Sequence, residues 1–97
     1  MYRMKPEKIS LADNIEVSVL REESRNSMCY AFLKIGLFGM NTYGISILGK
    51  GYAFESVGDN IAQASELFEL VLLNTPSVEH LFDIVTDFRR GLEAENV

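Results

Sequence analysis

The chain changes its hydrophobic period once. From Asn14 to Val57 apolar and polar residues largely alternate, whereas from Gly58 onward apolar residues recur every three to four positions. Alternation marks half-buried strands, and recurrence near 3.6 marks helices that lie on a core. A chain that places its strands first and its helices second builds an antiparallel sheet with helices gathered to one side, the α+β class. At 97 residues the whole chain, 1–97, reads as a single domain, with 1–13 and 93–97 as the segments expected to fray.

Within the first half, Ile15, Val17 and Val19 alternate with Glu16 and Ser18, a strand that runs to about Arg21. Glu22 to Asn26 are polar and read as a loop. A second strand, about Met28 to Phe38, sets Ala31, Leu33, Ile35 and Leu37 on one face and Tyr30, Phe32 and Lys34 on the other. A strand apolar on both faces sits centrally in its sheet or has its second face covered. Thr42 to Leu48 is a third strand with Tyr43, Ile45 and Ile47 toward the core. Gly49, Lys50 and Gly51 turn the chain into a fourth, Tyr52 to Val57.

In the second half, Asp59 or Asn60 can cap a helix from about Asn60 to Leu73. Its stripe of Ile61, Ala64, Phe68, Val71 and Leu72 is joined by Leu67, Leu70 and Leu73, so its last turns are apolar almost all round. Asn74 reads as a stop, Thr75 as a cap, and Pro76 as the first residue of a second helix. That helix carries Val78, Leu81, Phe82, Val85, Phe88 and Leu92, and its stripe fades near Gly91. The predicted fold is an antiparallel meander of three to four strands, then two antiparallel helices packed on one face.

Composition narrows the function. Apolar residues make up 47% of the chain and charged residues 24%, a balance that collapses to a folded core. The net charge is −5: residues 1–50 carry +2 and residues 51–97 carry −7. That sign disfavours nucleic acid, which is held by neutralising phosphates. No run approaches the roughly eighteen apolar residues of a membrane span, and MYRMKPEKIS lacks the apolar core of a signal peptide. A cytoplasmic protein with no membrane partner is expected. The lone Cys29 lies in an apolar run with no basic neighbour to lower its pKa, so it reads as a structural thiol.

Candidate chemistry is sparse. The glycines at 36, 39, 44, 49 and 51 form no phosphate-binding loop, since none leads from a strand into a helix with a following lysine and hydroxyl. His80, Asp83 and Asp87 fall at i, i+3 and i+7 beside Glu79, a spacing that invites a metal. One histidine among exposed aspartates reads instead as a solvated flank, with Asp87 pairing with Arg90. Ser77 stands three residues before His80 and reads as a cap near the helix start. No enzyme, cofactor or metal is expected; a metal-assisted hydrolase using His80 and Asp83 is the marginal alternative.

Tyr43-Gly44-Ile45, Pro76, His80-Leu81-Phe82-Asp83-Ile84-Val85 and Asp87-Phe88 resemble a family of small proteins from anaerobic Gram-positive bacteria that carry a domain of unknown function. The resemblance spans residues 42–90. It implies a strand-rich first half, a closing helix pair and a bacterial cytosolic setting, and it transfers no functional residue.

The function expected is a non-enzymatic protein-interaction module, self-associating as a homodimer or meeting another protein. Its candidate interface is Tyr30, Phe32, Tyr52 and Phe54 on the uncovered sheet face, beside Lys34 and Thr42, with Leu67, Leu70 and Leu73 on the first helix. The alternative is a small-metabolite binding protein. Its pocket would lie between sheet and helices or at a dimer interface, with Tyr30, Tyr43 or His80 for polar contacts.

Overall fold

A computed structural model describes residues 9–12 and 15–95. Five strands follow one another as an antiparallel meander: β1 Ile9–Ala12, β2 Ile15–Arg25, β3 Met28–Leu37, β4 Met40–Leu48 and β5 Tyr52–Gly58. Helix α1, Ile61–Asn74, a single 3-10 turn at Val78–His80 and helix α2, Leu81–Glu95, complete the chain. The α+β class and the strands-then-helices order are those the periodicity predicts. The added strand, β1, lies in the N-terminal segment expected to fray, and it pairs Ile9 with Val17. The rest of the N-terminal lead-in, residues 1–8 and 13–14, lies outside the described residues, as do Asn96 and Val97. α2 runs on to Glu95, past the fade expected near Gly91.

Strand β3 is the middle of the five, the place its two apolar faces call for. The loop expected at Glu22–Asn26 is instead the end of β2, which pairs with β3 as far as Arg25 against Met28. The chain reverses in two residues, Asn26 and Ser27, both with positive φ (54° and 66°). Phe38 and Gly39 (51° and 82°) reverse it again into β4. Paired positive φ values define the hairpin turn whose twist matches that of the strands it joins.

One face of the sheet carries the core. Tyr30, Phe32, Tyr43, Ile45 and Ile47 pack against Ala64, Leu67, Phe68, Val71 and Leu72 of α1 and Leu81 and Val85 of α2, all buried. The Phe32 ring stacks on Phe68 at 5.5 Å between centroids. The Tyr30 hydroxyl, fully buried, donates to the Pro76 carbonyl at 2.8 Å. It thereby ties the central strand to the inter-helix connection and satisfies a group that would cost about 1–3 kcal/mol unpaired. Asn60 caps α1, its side chain accepting from the Gln63 N–H at 3.0 Å. α1 ends in Thr75, whose φ is 41° and whose N–H donates to the Val71 carbonyl. The second helix does not start at Pro76: that residue is buried in the connection, and helical turns begin at Val78.

Candidate functional site: an uncovered sheet face and a pocket at its end

Register decides what the other face of the sheet presents. Across β3, β4 and β5, Tyr30 aligns with Ile47 and Ala53, and Phe32 with Ile45 and Glu55, all toward the helices. Ala31 aligns with Ser46 and Phe54, and Cys29 with Leu48 and Tyr52, all on the opposite face. Tyr30 and Phe32 therefore do not share a surface with Tyr52 and Phe54; they are core residues, a correction to the aromatic patch expected from the sequence. Lys34 pairs with Tyr43 and points to the helix side as well, while Thr42 pairs with Ile35 on the open face and donates to the Gly58 carbonyl at 3.1 Å. Leu67 is likewise buried in the core, whereas Leu70 is exposed and Leu73, at the end of α1, is 79% exposed.

No described element packs on this second face. It runs from Val17 and Val19 on β2 through Ala31, Leu33, Ile35 and Leu37 on β3 to Leu48, Tyr52 and Phe54. Strands β2 to β5 hold seven charged residues, and Glu22 is the only one on the open face. A β-bulge brings this about. The register of β2 slips between Val19 and Arg21, which turns Arg21, Glu23 and Arg25 from the face of Val17 and Val19 to the helix side. There the Arg21 guanidinium lies 5.5 Å from the Phe68 ring centroid and bonds Glu69 and, at 2.9 Å, Glu23. Arg25 closes the row on Glu23 at 3.0 Å. The hydrogen bonds from Arg21 and then Arg25 hold the Glu23 carboxyl below the usual glutamate range.

The Phe54 ring lies across Gly44. A Cβ at position 44 would stand 2.5 Å from Phe54 Cε1 and 3.1 Å from the Glu55 carbonyl oxygen, so only glycine lets the ring reach the backbone of β4. Ala31, Leu33 and Ser46 are buried beside it, while Tyr52 remains 62% exposed. At the face's edge the Cys29 thiol donates to Glu22 at 3.2 Å. Burial, then the Glu22 carboxylate, push its pKa up, the opposite of what a nucleophilic thiol needs.

At one end of the sheet the β2–β3 turn (Asn26, Ser27), Met28, the β4–β5 turn (Lys50, Gly51) and the Ser77–Glu79 segment enclose a pocket of about 500 Å³. Neither Tyr30, Tyr43 nor His80 is among the residues that line it. The Ser77 hydroxyl donates to Glu79 Oε1 at 2.7 Å and stands 2.8 Å from His80 Nδ1. With its one proton on the carboxylate, the hydroxyl accepts from the ring in the tautomer protonated at Nδ1. A serine nucleophile needs the reverse, a histidine that accepts its proton. Nor does this hydroxyl cap the backbone, as the sequence suggested; it pins Glu79. The Ser77 bond, then the residue's own N–H, hold the Glu79 carboxyl below the usual range.

Among the described residues, no group of three or more His, Cys, Asp or Glu is placed to hold a metal, and no ion pair joins Asp87 to Arg90. No described helix is long and apolar enough to cross a membrane. The bulge at Leu20 and the Lys50–Glu79 pocket were missed from sequence. The bulge has no local signature, and the pocket joins residues far apart in the chain. No protein-family model matches the chain, and comparison with curated proteins and with solved structures finds no relative. The resemblance to small bacterial proteins therefore rests on the residues that suggested it.

Proposed function

We propose that this chain is a cytoplasmic protein-interaction module that self-associates, its open sheet face meeting the same face of a second copy. The observation that carries the reading is the exclusion of charge: a five-strand face with Glu22 as its single charged residue from β2 to β5, in a chain with 24% charged residues. Large uncharged faces of this kind mark interfaces. A second copy is the occupant that needs nothing else, because a two-fold contact pairs each patch with itself. β3 is ten residues long; at about 3.3 Å per residue and about 4.8 Å between five strands, the footprint is on the order of 600 Å². That is near one side of a standard interface, about 800 Å², and two such sheets stack face to face about 10 Å apart.

Light scattering on a sizing column, over about a hundredfold range of concentration, tests this directly. The expected mass is twice 10.9 kDa. Leu48→Lys, at an exposed position on the face, should return the monomer without loss of fold. A wild-type monomer at every concentration refutes the proposal.

A further inference from the structure

Independently of self-association, we propose that the pocket at the end of the sheet binds a zwitterionic α-amino acid with an apolar side chain. Two opposite charges line it without meeting each other. Lys50, on the tip of the β4–β5 turn, makes no ion pair among the described residues. Glu79, whose carboxylate accepts from Ser77 and from its own N–H, meets no cationic side chain in an ion pair among the described residues and lines the pocket with lone pairs still open to a ligand. A cation and an anion on separate elements of one pocket lining complement a ligand that carries both a carboxylate and an ammonium, each contact being a charge-assisted hydrogen bond. A ligand with only one of the two charges would leave Lys50 or Glu79 facing an uncompensated neighbour.

The space between the charges has an apolar wall. Met28 is folded over the β4–β5 turn, where a Cβ at Gly49 would come within 2.8 Å of its Cγ. The Tyr30 hydroxyl lies 3.9 Å from its sulfur. Val78 closes the wall, with its Cγ1 3.8 Å from where a Gly51 Cβ would stand. Sulfur and branched carbon favour an unbranched or branched aliphatic side chain. Ser27 and Asn26 supply neutral donors at the mouth. At about 500 Å³ the volume falls within the range of small-molecule sites, about 300–1,000 Å³.

The test is amide chemical-shift perturbation and calorimetry with millimolar L-methionine, and with its methyl ester and its N-acetyl derivative as single-charge controls. L-Methionine should shift the amides of Ser27, Gly51 and Val78, and each blocked derivative should bind about tenfold more weakly or worse. Lys50→Ala should abolish the preference for the free carboxylate, and Glu79→Gln that for the free ammonium, while both variants keep the wild-type melting temperature. No shift at these amides with L-methionine or L-leucine overturns the proposal. So does equal binding of the zwitterion and its blocked forms. Because Leu48→Lys lies on the sheet face, the same titration on that variant separates failure of this site from failure of the dimer.

Discussion

Replacing Gly44 with alanine probes the one contact that organises the open face. The added methyl would sit 2.5 Å from Phe54 Cε1 and 2.7 Å from Cζ, distances no Cβ tolerates, so the ring must swing out. Phe54 is 38% exposed, and forfeiting its remaining burial costs about 1–2 kcal/mol. Removing a glycine from a strand returns about 0.5 kcal/mol. The net loss is about 1 kcal/mol, a fall of about 5 °C in Tm for a domain this size. The same substitution in a Phe54→Ala background meets no ring. There it should stabilise by about 0.5 kcal/mol, less whatever the Glu55 carbonyl at 3.1 Å takes back. Urea unfolding of the four proteins measures the difference as a coupling of about 1.5 kcal/mol, within the range for side chains in contact. If Gly44→Ala costs the same with and without Phe54, the ring does not lie on the strand.

Acid should act through Glu23. Its carboxyl is held below the ordinary value of 4.5 by Arg21 and then Arg25, so the stability it contributes is present above the unfolded-state value and is lost as pH falls through the folded one. Glu23→Gln should therefore be less stable than wild type at neutral pH, and the gap should close below pH 4.5 when urea midpoints are compared; a gap independent of pH refutes it. The Cys29 thiol, raised above its ordinary 9.0 by burial and then by Glu22, should react slowly with an aromatic disulfide at neutral pH. Glu22→Gln should speed that reaction severalfold by enlarging the thiolate fraction; an unchanged rate removes Glu22 as a cause.

Element type was legible because it is local. The alternation of Ile15, Val17 and Val19, the two apolar faces of Met28–Leu37 and the stripe of Ala64, Phe68, Val71 and Leu72 each announce their element, and Asn60 and Asn74 bound α1 where their side-chain chemistry suggests. The polar run Glu22 to Asn26 has the composition of a loop, yet its first four residues are strand. Those residues extend β2 because the first residues of β3 need ladder partners, and the arginine and glutamate side chains satisfy one another in a row on the helix side. Phe38 at φ 51° is a second case: nothing in a phenylalanine signals a turn position that asparagine or glycine ordinarily fills.

Which residues share a face across strands is another kind of question, because it depends on turn lengths and bulges, each worth one residue of register. A slip of one exchanges the two faces of a strand. With Tyr30 and Phe32 on one face of β3 and Ala31, Leu33 and Ile35 on the other, hydrophobicity alone does not say which meets the helices. The stacking of Phe32 on Phe68 and the reach of Tyr30 to Pro76 settle it in favour of the rings, since the larger side chains span the gap to a helix. The smaller residues are left outward. There the Phe54 ring lies over Gly44 of the neighbouring strand, and the bulge at Leu20 takes Arg21, Glu23 and Arg25 off the face. Two separate departures from regularity, one on β2 and one on β4, thus act on the same face. Neither is required to fold a meander under two helices, and both act on the one face that no described element covers.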